Sequence, residues 1–203
     1  ERRWGQGMGA GSVAMIAAAG RNNTGILGMA FNATVLMARA DKPGTCATTA
    51  GCTFEDTAIA AGIDRAVQAG ARVINLSLGG GAPNATVLGA VSRAAAAGAV
   101  LVVSAGNDSA ANPDDFASAL RQAGNGNVII AGSVGATNAI STFSNRAGSE
   151  ANWYLSIRPA PSPAFPTRQA PNRVSICRRW ANNCAAVMKT AASKPPPMRK
   201  GNR

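Results

Sequence analysis

From residue 12 to residue 146 the sequence alternates between segments whose apolar residues recur at helical spacing and short unbroken apolar runs. Such alternation demands a parallel sheet covered by helices, because each apolar run must be buried and parallel strands need helical crossovers. Ser12 is placed to cap a short apolar helix over 13–19, stopped by Gly20. A strand is predicted over 33–38. Thr53-x-x-Asp56 has the form of a capping box, and Ile59, Ile63, Ala66 and Val67 then share one helical face as far as Gly70. Residues 73–76 read as a buried strand broken by Gly79-Gly80-Gly81. Asn84 caps the next helix, with Val87, Leu88, Val91 and Ala95 on one face and Gly98 as its stop. Residues 100–104 and 128–131 are two further strand-like runs, and the chain has no internal repeat. Hydrophobic residues make up 46% of the chain, enough to build a core.

In open α/β sheets ligands bind beyond the carboxyl ends of the strands. Two runs here end in polar or glycine-containing sequences at that position, Ser77-Leu78-Gly79-Gly80 and Ser104-Ala105-Gly106-Asn107. They are the first place to look for a site.

The formal charge of +11 invites a nucleic-acid reading, but its distribution argues otherwise. Residues 1–155 carry 10 Lys and Arg against all 9 Asp and Glu, so that stretch is close to neutral. Residues 156–203 carry the other 10 cations with no acid, together with 8 of the 11 prolines. The chain therefore divides into a domain over 1–155 and a basic Pro/Arg-rich tail over 156–203, expected to form no packed element. A nucleic-acid or anionic-surface arm is the alternative for the tail, with Phe165 and Trp180 available for stacking but no recognised motif. No run of about 18 apolar residues is present, so no transmembrane helix is expected, nor does residue 1 open a basic-then-apolar leader.

Four ordered motifs resemble the subtilases, the subtilisin-like serine peptidases. Val73-Ile74-Asn75-Leu76-Ser77-Leu78-Gly79 resembles the family's substrate-binding strand, and Val102-Val103-Ser104-Ala105-Gly106-Asn107 the segment that ends in its oxyanion-hole asparagine. Val134-Gly135-Ala136 with Phe143-Ser144-Asn145 resembles the strand and turn that follow. Asn22-Asn23-Thr24-Gly25-Ile26-Leu27-Gly28 resembles the turn after the family's histidine-bearing helix. The resemblance implies a subtilisin-like α/β domain, incomplete at both ends, and peptide-bond hydrolysis of polypeptide substrates. It gives Ser77, Leu78, Gly79, Ala105 and Gly106 to substrate binding and Asn107 to the oxyanion hole. The chemistry suits those roles, since a fixed amide N–H stabilises the anionic tetrahedral intermediate without reorganising, an effect documented in a subtilisin itself. A free strand end pairs its backbone with an extended peptide, and glycine at 79 lets that peptide come close.

The catalytic unit of such an enzyme is an aspartate, a histidine and a serine, and the chain contains no histidine. The resemblance places the family's histidine at Gly9, within Gly9-Ala10-Gly11-Ser12-Val13-Ala14. Too few residues precede it for the aspartate strand. Ser156, Ser162 and Ser175 lack the helix start and small neighbours of a nucleophile. The chain is thus expected to be inactive, as a truncated or frame-shifted read of a serine endopeptidase or as a non-catalytic peptide-binding pseudopeptidase.

Gly5-Gln6-Gly7-Met8-Gly9-Ala10 matches a dinucleotide fingerprint, but no strand precedes it and the next acid is Asp41. Cys46 and Cys52 share one loop, either as a local disulfide suited to an exported protein or as two free thiols. Cys177 and Cys184 lack the further ligands of a zinc site. Resemblance also implies weak calcium candidates at Asn22 and Asn23, without identifiable carboxylates, so no cofactor is expected. It further implies an extracellular, periplasmic or cell-surface location. Oligomeric state is not legible.

Overall fold

The computed structural model describes residue 30, residues 33–45 and 52–157, and the backbone of residues 184–189. In chain order the elements are β1 (Thr34–Leu36), α1 (Asp56–Gln68), β2 (Val73–Ser77), α2 (Ala85–Ala96), β3 (Val100–Ser104), α3 (Asp115–Ala123) and β4 (Val128–Ser133). A 3-10 turn (Gly148–Trp153), β5 (Tyr154–Ile157) and β6 (Cys184–Lys189) follow. The strands form one sheet in the order β1-β6-β2-β3-β4-β5. β2, β3, β4 and β5 are successive parallel neighbours, in register Val73↔Val100, Leu101↔Val128 and Ile130↔Tyr154. The fold is the expected α/β parallel sheet flanked by helices.

Alternation along the strands builds the core. Ile74 and Leu76 of β2, Leu101 and Val103 of β3, and Val128 and Ile130 of β4 are buried, while their neighbours in sequence are half-buried. The crossovers through α2 and α3 advance the same way along the sheet, so the right-handed rule sets both helices on one face. α1 packs on α2 and α2 on α3. Ala60, Ala66, Ala90 and Ala94 are buried and let the helices approach closely. Ile63, Ile74, Leu101 and Leu120 are essentially inaccessible, and burial of each contributes about 1.5–3 kcal/mol.

Local details differ from expectation in three places. The capping box at Thr53 does not form. The N-cap of α1 is Glu55, with no side-chain cap, and the Asp56 carboxylate instead accepts from the backbone N–H of Asn84 at 2.6 Å, tying the start of α1 to the start of α2. Asn84 does cap α2, its Oδ1 accepting from Thr86 at 2.9 Å and Val87 at 3.3 Å. α3 was not foreseen, though Asp114 followed by Phe116, Ala117 and Leu120 carries the signal. The Asp114 carboxylate caps it, accepting from the Ala117 N–H at 2.8 Å.

The third difference concerns the basic tail, expected to form no packed element from residue 156 onward. β5 runs on to Ile157, and Cys184–Lys189 forms β6, antiparallel to both β1 and β2 and lying between them. The run Cys184-Ala185-Ala186-Val187-Met188 holds neither charge nor proline. Its local composition, rather than the average of the whole tail, suits a strand.

Candidate functional site

Parallel pairing in register sets the carboxyl ends of β2 and β3 side by side. Leu76 pairs with Val103, so Ser77-Leu78-Gly79-Gly80 and Ser104-Ala105-Gly106-Asn107 leave the sheet as neighbours. The Ser104 hydroxyl donates to the Leu78 carbonyl at 2.5 Å, joining the two ends directly. The Ser77 hydroxyl accepts from the Asn75 amide at 3.0 Å. Leu78 is buried, Gly79 and Gly80 are exposed, and Gly106 and Asn107 are half-buried. All six residues that the sequence assigned to substrate and oxyanion binding therefore meet at the carboxyl ends of two neighbouring interior strands.

Asn145 builds the turn that carries Asn107. Its side chain is fully buried. Its Oδ1 accepts from the backbone N–H groups of Asp108 at 2.9 Å and Ala110 at 3.0 Å, and its Nδ2 donates to the Ala105 carbonyl at 3.0 Å. Its own backbone N–H donates to the Gly106 carbonyl at 3.1 Å. Gly106 has φ 104°, and a Cβ there would run into the Asn145 amide. Tyr154 in turn holds Asn145, its hydroxyl donating to the Asn145 carbonyl at 2.6 Å. Ser109, with φ 61°, finishes the turn by donating from its hydroxyl to Thr142 O at 2.6 Å.

Asp114 fastens the other wall. One carboxylate oxygen caps α3, and the other accepts from the Gly80 N–H at 3.0 Å. Its backbone N–H donates to the Ala105 carbonyl at 2.9 Å, and Phe116 N–H donates to Gly80 O at 3.1 Å. One short segment thus straps the end of β2 to the end of β3. A Cβ on Gly79 would lie 2.6 Å from Asp114 Oδ2, so glycine there leaves room for the carboxylate. Burial pushes the Asp114 carboxyl up to about 6, against the lowering effect of the Ala117 and Gly80 N–H groups, with Asp108 and Asp115 adding to the rise. Between these walls lies an open cavity of about 410 Å³, lined among others by Gly80, Gly81, Asp108, Asp114, Asp115 and Asn145.

Asn145 and Asp114 are functional-site residues that sequence reasoning alone does not single out by role. Phe143-Ser144-Asn145 flagged the first, and a helix-capping pattern was the available signal for the second. Gly9, Asn22, Asn23, Cys46, Ser162 and Ser175 lie outside the described residues. Ser156 is an exposed residue of β5. Cys52 is disulfide-bonded. Among the described residues no group of three or more Cys, Asp and Glu converges to hold a metal ion, and no helix is long and apolar enough to cross a membrane.

The sequence model of the subtilase family matches residues 9–170, which covers both strand ends, the Asn145 turn and Asp114. The chain belongs to the subtilase family. Subtilases are serine peptidases, and two curated members show the likeness in detail. A thermophilic serine proteinase of Bacillus sp. (strain AK1) is 41% identical over 135 residues, covering 66% of this chain and 30% of that protein. Thermitase of Thermoactinomyces vulgaris is 39% identical over 104 residues, covering 51% of this chain and 34% of thermitase. This subtilase chain spans about a third of the length of the curated relatives it matches. Among solved structures, the patellamide maturation protease PatA aligns over 51% of this chain and 37% of its own, at 27% identity and a TM-score of 0.45. The prenylagaramide maturation protease PagA aligns over 52% and 38%, at 20% identity and a TM-score of 0.45.

Proposed function

We propose that this chain is the peptide-binding portion of a subtilase-type serine endopeptidase domain and that it binds extended polypeptide without hydrolysing it. The observation that carries the reading is the junction of Ser77-Leu78-Gly79 with Ala105-Gly106-Asn107, held by the Ser104–Leu78 hydrogen bond. Ser77 ends the paired part of β2 against Cys184, Leu78 and Gly79 beyond it offer backbone to an incoming strand, Ala105 and Gly106 form the facing wall, and Asn107 supplies the oxyanion amide. The absence of hydrolysis follows from composition. The chain has no histidine, so no imidazole is present to take the proton from a serine, and glycine stands at the family's histidine position. The disulfide at Cys52 supports an oxidising, extracellular or periplasmic location.

The test uses the whole chain with unfolded casein and with short extended peptides. Amide signals of Gly79, Gly106 and Asn107 should shift on peptide addition, while mass spectrometry finds no new termini. Unmoved signals at saturating peptide would sink the binding role. Cleavage that a serine-directed phosphonate abolishes would sink the non-catalytic one.

A further inference from the structure

Among the described residues β6 alone runs against the other five strands, antiparallel to β1 on one side and to β2 on the other. β1 and β2 follow one another in the chain through α1, yet they do not pair. Their crossover skips one strand position, a slot about 9–10 Å across, and the far end of the chain fills it. The walls of the slot are held by contacts that do not involve β6. On one side β2 pairs with β3 from Val73 to Leu76. On the other, Leu36 and Ala38 pack against the core, and a Cβ added to Gly62 of α1 would lie 3.5 Å from the Ala38 Cβ. Beyond β1 the chain is clipped by a bridge between Asp41 and Phe54, and by the Lys42 N–H donating to the Thr53 carbonyl at 2.8 Å.

Register and burial say what the slot takes. The positions opposite Ile74 and Leu76 are Val187 and Ala185. Ile74 and Leu76 are buried in one cluster with Ile59 and Ile63 of α1, so a polar group set beside them would be desolvated without a partner. Proline is excluded as well, because a strand with neighbours on both sides needs its N–H groups. The tether does not decide the occupant. Residues 158–183 join β5 to β6, and the two strands lie four positions apart in the sheet, about 19 Å. A chain of that length reaches about 80–90 Å when extended, so it imposes no register. It holds β6 near the slot at a local concentration in roughly the millimolar range.

We propose that the position between β1 and β2 is a strand-acceptor site for an extended segment of another polypeptide, and that β6 is its replaceable occupant in cis. The segment is about six residues long, free of proline, and apolar at the two positions beside Ile74 and Leu76. Main-chain hydrogen bonds on both sides supply the affinity, and alternate side chains supply the selectivity. An incoming strand gains what β6 gives up, pairing with Thr34–Leu36 on one side and Val73–Ser77 on the other. This site lies within the sheet, apart from the strand ends at Leu78-Gly79 and Asn107, and stands or falls independently of the reading given for them.

The experiment uses the whole chain and a fluorescein-labelled peptide of residues 184–189 with Cys184→Ser. In the unaltered chain the amides of residues 185–188 should exchange at least about tenfold faster than those of Leu101–Val103 in β3, because a replaceable strand opens locally. Equal protection of the two strands overturns the proposal. Val187→Pro in the chain expels β6, since proline is not accommodated in a central strand, and leaves the slot to the peptide. That variant should bind the peptide about tenfold more tightly than the unaltered chain, whose slot is mostly taken in cis. The amide signals of Val35, Ile74 and Asn75 should shift. A peptide that also carries Val187→Asp should bind at least about tenfold more weakly, and equal binding overturns the apolar requirement. No binding by folded Val187→Pro overturns the acceptor site. Shifts confined to Gly79, Gly106 and Asn107 assign the peptide to the strand ends and likewise overturn it. Should Val187→Pro fail to fold by circular dichroism, the unaltered chain with several-millimolar unlabelled peptide carries the test. Exchange at residues 185–188 should then accelerate while Val35 and Ile74 stay protected, and unchanged exchange overturns the proposal.

Discussion

The side-chain amide of Asn145 donates to the carbonyl of Ala105 at 3.0 Å, across 40 residues of sequence. The same side chain accepts from Asp108 and Ala110, so one buried group closes the turn that presents Asn107. Asn145→Ala would leave the Asp108 and Ala110 N–H groups without their partner, while the Ala105 carbonyl keeps the Asp114 N–H. Unsatisfied groups cost about 1–3 kcal/mol each, and a total loss of about 2–3 kcal/mol is expected in urea unfolding. Amide exchange at Asp108 and Ala110 should accelerate well before global unfolding. Unchanged exchange there would show that the turn holds without Asn145.

Gly106 is required twice over, by φ 104° and by contact with the Asn145 amide. Gly106→Ala should therefore cost about 2–3 kcal/mol. Gly98 is the control. Its φ is 77°, but an added Cβ meets nothing within 4 Å, so Gly98→Ala should cost only about 1 kcal/mol. Equal losses in the two variants would mean that the Asn145 contact contributes nothing.

Asp114 makes stability depend on pH in an unusual direction for a carboxylate. Burial raises its carboxyl from 3.8 to about 6. The folded state then keeps a proton that the unfolded chain gives up between about pH 4 and 6, and stability falls as pH rises through that window. With allowance for screening by water in the open cavity, the change is on the order of 2 kcal/mol. Unfolding midpoints of the unaltered chain minus those of Asp114→Asn should drop between pH 4 and 6. A flat difference would remove the raised carboxyl.

Glu150 is buried and lies against Arg121, with Oε2 2.6 Å from Nε. That Nε has no aligned hydrogen bond, but Arg121 Nη2 donates to Glu150 Oε1 at 3.5 Å, so the ion pair carries one long hydrogen bond as well. It joins α3 to the 3-10 turn before β5. Arg121→Met should leave the Glu150 charge buried and unpaired, at a cost of about 2–3 kcal/mol by chemical denaturation. Glu150→Gln added to Arg121→Met should recover much of it. No recovery in the double variant would show that packing, not charge, is what the arginine supplies.

By itself the sequence determined β1, β2, β3, β4, α1 and α2, because each has a local signature: a short, largely apolar run, or apolar residues at helical spacing with a stop. It also singled out Ser77-Leu78-Gly79 and Ala105-Gly106-Asn107, which the register of β2 on β3 then brings together. Tertiary structure alone decided the rest. Whether Asp56 completes a capping box or binds Asn84 depends on where α2 starts in space. Asn145 gains its partners only when residues 40 positions away fold back over it, and Asp114 becomes half-buried only between Gly79 and Gly106. β6 shows the same thing in the backbone. Its apolar run is short, and what makes it a strand is the presence of β1 and β2 on either side to take its hydrogen bonds. Periodicity records which face of an element is buried, whereas such long-range partners leave no periodic trace in the chain.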